Sequence, residues 1–240
     1  GNNTALGTEA LRDNTSGGQG VAIGYNAMLK NTTAAYNTAV GNQAMQENTT
    51  GHSNTAVGHE ALKANTTSIQ NTAIGRHALL TNDGGADNVA VGFEAMKLNT
   101  TGADNIAIGY QAMELNTTGT RNTAIGHEAY ANSDTENDNL AIGYDAMTAN
   151  TAGGQFNTAI GNYAMDALTS GDNNTAVGHQ ALSAATTAIS NTAFGHTALT
   201  STVSGGYNTA VGYEALYHNL AAANVAVGVY AMKANTTGTR

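Results

Sequence analysis

Apolar and polar positions recur along this chain with a period of 17 residues. A clear copy runs Asn105-Ile106-Ala107-Ile108-Gly109-Tyr110-Gln111-Ala112-Met113. Counted from its glycine as position zero, the same columns return at Gly7, Gly24, Gly41, Gly58, Gly75, Gly92, Gly109, Gly126, Gly143, Gly161, Gly178, Gly195, Gly212 and Gly228. These 14 copies keep the interval except for one of 18 (Gly143 to Gly161) and one of 16 (Gly212 to Gly228). Position −2 is Ala in every copy, from Ala5 to Ala226, and position +3 is Ala from Ala10 to Ala231. Position −1 is always a larger apolar residue, such as Ile108, Val177 or Phe194, and +4 is Met or Leu except at Tyr130. A strict repeat this short predicts a solenoid, one coil per copy.

The residue types choose strand over helix. Thr or another β-branched residue at −3 and Ile or Val at −1 favour extended backbone. A helix would need an apolar stripe at a 3.6-residue period, yet each apolar block is centred on Gly and β-branched residues. Seventeen residues also leave no room for a helix–turn–helix unit of 33 or more. The pattern therefore predicts extended backbone over −4 to +4 and a turn over the remainder. The invariant glycine predicts a corner with positive φ, or a backbone approach too close for a Cβ.

Neighbours in a strand point to opposite faces. Ala at −2 and Ile or Val at −1 are both apolar, as are Ala at +3 and Met or Leu at +4, so one face lines the coil and the other forms an apolar stripe repeated at every rung. An unbroken stripe of this kind predicts association of several chains side by side, the alternative being that the outer alanines are simply exposed. Variation collects in segments such as Asn48-Thr49-Thr50-Gly51, and most of all in Asn132-Ser133-Asp134-Thr135-Glu136-Asn137-Asp138. The extra residue falls in Gly153-Gly154-Gln155-Phe156 and the missing one around Asn219 to Ala223, which predicts an outward-facing turn stripe. No composition shift marks a domain boundary, so residues 1–240 are expected to form a single repeat array, a window of a longer fibrous protein. The final Thr236-Thr237-Gly238-Thr239-Arg240 would lead into a further unit.

Composition narrows the function. There is no Cys, which removes disulfide and thiolate chemistry, and a formal net charge of −9 disfavours nucleic acid. No apolar run approaches the length of a membrane helix, so membrane insertion is not expected.

The block Ala-Ile-Gly-Tyr-x-Ala-Met, as in Ala107 to Met113 and Ala141 to Met147, resembles the head repeats of trimeric autotransporter adhesins, and similar repeats occur in phage tail-fibre-like proteins. The resemblance spans the whole chain. It implies a left-handed parallel β-roll wound as a trimer, and a role in binding surfaces or host matrix. The chain departs from that family in its period, since the usual head unit is nearer 14 residues and the Asn-Thr-Thr-Gly turn makes this one 17.

Candidate chemistry is sparse. Carboxylates at +2 (Glu9, Glu60, Glu94, Glu128, Asp145, Glu214) are read as several rungs apart and as solvated charge. Histidines recur at +1, only His179 and His196 on adjacent rungs and with no third ligand evident, so neither metal nor cofactor is expected. The +1 column of Tyr25, His59, Phe93, Tyr110, His127, Tyr144, His179, His196 and Tyr213 is a candidate ligand-binding strip or, more simply, a packed ladder. Asn at −4, present in 13 copies and replaced at Gly20, predicts a rung-to-rung amide ladder. Asn31, Asn48, Asn65, Asn99, Asn116 and Asn235 match the glycan-acceptor pattern, as do Asn2, Asn14 and Asn173, although turn chemistry explains the motif more simply.

These features lead to an expectation of a non-enzymatic structural fibre or adhesin segment: an all-β parallel β-solenoid of 14 coils, extracellular, at a cell surface or in a virion tail fibre. Its partners would be itself, as homotrimer or filament, and a host-surface glycan or matrix protein. A self-assembling extracellular filament subunit and an ice-binding solenoid are the alternatives.

Overall fold

The computed structural model describes residues 1–150 and 153–236. Thr237-Gly238-Thr239-Arg240, expected to continue the pattern, lies outside them. The described residues contain short strands and turns but no helix, and so no helix long and apolar enough to cross a membrane. They divide into two compact units, Gly1–Arg121 and Asn122–Arg240. The first holds β1 (Thr4–Leu6), β2 (Val21–Ile23), β3 (Thr38–Val40), β4 (Thr55–Val57), β5 (Thr72–Ile74), β6 (Val89–Val91) and β7 (Ile106–Ile108). The second holds β8 (Thr123–Ile125), β9 (Leu140–Ile142), β10 (Thr158–Ile160), β11 (Thr175–Val177), β12 (Thr192–Phe194), β13 (Thr209–Val211) and β14 (Val225–Val227).

Within each unit, successive strands pair in parallel and in chain order, one coil per repeat, which is a parallel β-solenoid. Register follows the columns: Ala39 lies beside Ala56, and Ala56 beside Ala73. The irregular intervals leave this intact, since Ala141 still meets Ala159 and Ala210 still meets Ala226. Both length changes are absorbed in the turns, as the sequence predicts.

Strand length is where the expectation fails. Only −3 to −1 is strand, and the segment after the glycine is a chain of overlapping turns. In the second coil, Ala27 N–H bonds Gly24 O at 3.3 Å, Leu29 N–H bonds Asn26 O at 3.3 Å and Asn31 N–H bonds Met28 O at 3.2 Å. The intervening N–H groups reach neighbouring coils, Asn26 to Thr8 O at 3.0 Å and Met28 to Ala44 O at 3.0 Å. Backbone donors thus alternate between closing a local turn and stacking the solenoid, which answers the need to pair every buried N–H. The turns require left-handed residues at +2 and +4, here Asn26 (φ 54°) and Met28 (φ 48°), third in their respective turns, where a positive φ is needed. This conformation costs an L-residue about 1–2 kcal/mol. Nothing in a Met or Leu side chain announces it; the stacking bonds impose it.

At the corner both readings of the glycine hold. Gly58 has φ +140°, and a Cβ there would lie 2.5 Å from Gly75 O on the next coil.

The faces follow from these geometries. Ala at −2 points inward, and because the segment after the glycine turns rather than extends, +3 and +4 both point inward too. Ala56, Ala61 and Leu62 are wholly buried together, as are Ala159, Ala164 and Met165. The remaining interior is amide. Asn54 at −4 accepts the Asn71 N–H at 2.9 Å and donates Nδ2 to Ser68 O at 2.8 Å, tying the strand to the turn of the coil. A second ladder runs up +7, where Asn65 Nδ2 meets Asn48 Oδ1 at 2.8 Å and Asn99 Nδ2 meets Asn82 Oδ1 at 2.7 Å. In the second unit that column is broken by buried Ser133, Leu168, Ala185 and Thr202. Each of these amide bonds contributes about 0.5–1.5 kcal/mol net, but leaving one of the buried groups unpaired would cost more.

Candidate functional site

The feature that repeats on the outside is the face made by columns −3, −1 and +1. With Ala filling the coil, the larger apolar residue at −1 is left partly in solvent: most are half-buried, as Val40 and Val57 are, while Ile74 is 39% exposed, Ile108 38% and Phe194 56%. The predicted apolar stripe is therefore present on the outer surface of each unit at −1 only, since +3 and +4 both turn inward.

The +1 column lies beside it. In the first unit Phe93 and Tyr110 stack with centroids 5.3 Å apart, and the Arg76 guanidinium sits 5.5 Å from the Phe93 ring. In the second unit His127 stacks on Tyr144 at 4.9 Å, and His179, His196 and Tyr213 stack in turn at 5.0 and 5.3 Å. Tyr163, from +2, bridges Tyr144 and His179 edge-on, and Tyr230 extends the run beyond Tyr213. Tyr25 lies between Thr8 and Asn42 in the column, so it has no ring above or below it there. Such pairs contribute about 0.5–1.5 kcal/mol beyond burial. The strip is thus a packed ladder whose ring faces largely cover one another and whose edges and polar tips meet water. At its end, a hydrogen bond with Glu214 raises the Tyr213 phenol, while Lys233 and Tyr213 lower the Glu214 carboxyl.

The acidic +2 column corrects the sequence reading. Glu128 and Asp145 occupy successive coils rather than distant ones, and with His127 they bring ligand atoms within 4.8 Å of one another. Burial, then the Glu128 charge, pushes the Asp145 carboxyl above its ordinary range. In the first unit, Glu60, His77 and Glu94 alternate up the column, with His77 Nε2 3.3 Å from Glu60 Oε2 and His77 Nδ1 3.2 Å from Glu94 Oε1. The Lys63 ammonium lowers the Glu60 carboxyl. Burial alone would raise Glu94, but hydrogen bonds from His77, Gln111 and Lys97 outweigh it and hold the carboxyl low. His77 stands at +2, outside the histidine column, so a column-by-column reading does not pair it; its ring nonetheless lies 5.5 Å from that of His59. The signal was available: +1 of one coil and +2 of the next are neighbours.

At five of the acceptor motifs the glycan reading does not survive the fold, while Asn2 and Asn173 are exposed. Asn31, Asn48, Asn65, Asn99 and Asn116 form the buried +7 ladder, their nitrogens donating inward, for example Asn48 to Gly51 O at 3.0 Å and Asn116 to Asn99 Oδ1 at 2.8 Å. Asn235 donates to Asn219 Oδ1 at 3.0 Å, and Thr237 of its motif lies outside the described residues. A glycan on any of the five buried amides has no room in the folded coil, whereas Asn235 is only half-buried. Outward in the same turns are the threonines, and several of their hydroxyls are tied to backbone, as Thr49 Oγ1 is to Thr66 O at 3.0 Å.

The most altered coil carries a private network. Glu136 is buried and accepts the N–H groups of Asp134 (2.7 Å), Thr135 (3.1 Å) and Gly153 (3.0 Å). Tyr130, buried in place of Met or Leu, has a phenol pushed up chiefly by burial; its oxygen accepts Asn139 Nδ2 at 2.6 Å and Asn150 Nδ2 at 3.0 Å.

No protein-family model, curated protein or solved structure matches this chain. The functional reading therefore rests on the geometry and on the resemblance carried by the repeat.

Proposed function

We propose that this chain is a non-enzymatic structural segment of a fibre, in which copies associate side by side and present a repeated surface for attachment. The observation that carries this reading is the outer apolar stripe. Each coil is already filled by its Ala and its Met, Leu or Tyr, yet a further apolar residue stands at least partly exposed at −1 in every repeat. Removing such surface from water is worth about 25 cal/mol per Å², and a column that repeats at every rung offers itself to an identical column on another copy. Three copies around one axis is the arrangement the adhesin resemblance implies, and an extracellular or virion setting comes from the same resemblance. The ring ladder and the turn threonines would then supply many equivalent weak contacts to a host-surface glycan or matrix protein, gaining strength through multivalency.

The test is the solution mass of the purified 240-residue chain by light scattering, beside a variant carrying Val40→Asp and Val57→Asp in the −1 column. Three times the 24.3 kDa chain mass, falling to a folded monomer in the variant, is the expected result. A folded monomer for the unaltered chain would refute side-by-side assembly. Large open-ended species would favour a filament instead.

A further inference from the structure

We propose that His59, Glu60 and His77 form a binding site for a divalent transition-metal ion of the zinc type, which clips the turn after β4 to the turn after β5. The three residues each offer one ligand atom, and these atoms lie within 4.8 Å of one another. His77 Nε2 and Glu60 Oε2 are 3.3 Å apart. That is the ligand–ligand edge of a tetrahedral site whose bonds are about 2.0–2.1 Å, an edge of about 3.3 Å. Two imidazoles and one carboxylate form a ligand set suited to zinc, copper or nickel, whereas calcium and magnesium favour all-oxygen surroundings.

The surroundings orient the set. Behind the His77 ring, Glu94 Oε1 lies 3.2 Å from Nδ1. A carboxylate in that position holds the Nδ1 proton and leaves Nε2 as the metal-binding atom, the carboxylate–histidine–metal arrangement. Glu94 is itself fixed by Gln111 Nε2 at 3.1 Å and Lys97 Nζ at 3.2 Å. The backbone is equally set: Glu60 N–H bonds Asn42 O at 2.9 Å and His77 N–H bonds His59 O at 3.0 Å, so the stacking of coils brings the ligands together before any ion arrives. The His59 and His77 rings are tilted at 55° rather than stacked, unlike the other histidine pair. One group opposes the site: Lys63 Nζ is 2.6 Å from the other Glu60 oxygen, a cation competing with the metal for the same carboxylate. The His127, Glu128 and Asp145 cluster has a single imidazole and is a built-in comparison.

The three ligands come from one chain, so the test uses affinity, not mass. The untagged full chain is titrated with Co²⁺, read by visible absorption, and then with Zn²⁺ in competition. One tightly held ion per chain is expected, lost in His77→Ala and in the exposed variant His59→Ala, both checked for folding by circular dichroism. Glu94→Gln should weaken binding about 10–100-fold through the lost orienting carboxylate. Lys63→Ala should strengthen it, a change of sign that incidental surface binding would not show. Absence of binding at micromolar metal, or unchanged affinity and stoichiometry in both His59→Ala and His77→Ala, would overturn the proposal. So would loss of the site on Asp145→Asn, which should leave it intact.

Discussion

Tyr130 stands where the other copies carry Met or Leu, and three residues later Ser133 stands where every earlier coil carries an Asn. The two departures are one compensation. In a regular coil, the +7 amide nitrogen finds the amide oxygen of the coil before it, as Asn65 finds Asn48 at 2.8 Å. Asn150 has only Ser133 below it, whose Oγ is buried without a partner, and Asn150 donates instead to the Tyr130 hydroxyl at 3.0 Å. Tyr130→Phe removes that acceptor and the 2.6 Å bond from Asn139 while keeping the ring. Both amides retain a second acceptor in Gly154 O, each at 2.9 Å, so neither is wholly orphaned. Two lost bonds at about 0.5–1.5 kcal/mol each give an expected loss of about 1–3 kcal/mol. The sharper test restores the pattern. Tyr130→Met and Ser133→Asn should each destabilise alone, one removing the phenol that Asn150 and Asn139 donate to and the other crowding it. Together they rebuild the regular ladder, so a double-mutant cycle should show a favourable coupling above about 1 kcal/mol. The assay is urea denaturation followed by circular dichroism at matched protein concentration, with all four chains sharing one oligomeric state. Additive single effects, or a Tyr130→Phe midpoint equal to the parent's, would refute the account.

Gly58→Ala should destabilise by at least about 1–3 kcal/mol from backbone strain alone, because its φ is +140°; the new Cβ would also meet Gly75 O at 2.5 Å, and thermal unfolding measures the loss. Asn54→Ala should strand the Asn71 N–H, at about 1–3 kcal/mol, and leave the Ser68 carbonyl with only the 3.2 Å bond from Asn65 Nδ2, whereas Thr55→Ala next to it should be near neutral in the same assay. Burial is the main cause that raises the Asp166 carboxyl, and its Oδ1 has no partner, so its ionised form opposes folding. A raised folded pKa means that this penalty is absent below the ordinary value of 3.8 and grows as pH rises through the folded value. Asp166→Asn should therefore stabilise the chain at pH 7 and make no difference below pH 3.8, as denaturation midpoints across that range would record.

Period, columns and in-register stacking were legible in the sequence because a 17-residue repeat admits one coil per copy and length changes that avoid the strands do not disturb it. The glycine corner was legible too, since a residue invariant between two apolar blocks has few reasons other than positive φ or close approach. Which way the side chains point after that glycine was settled only by the tertiary structure. Left-handed residues such as Asn26 and Met28 turn the segment inward, and their conformation is dictated by hydrogen bonds to the coils above and below, not by local preference. That single fact sends +3 and +4 into the interior together, leaves −1 outside, buries the Asn-Thr-Thr asparagines that a motif reading would place in solvent, and sets His77 against His59 across two columns. Sequence periodicity determines which residues stack on their own kind. Contact between different columns depends on how each coil bends, and that is decided where successive coils exchange their backbone hydrogen bonds.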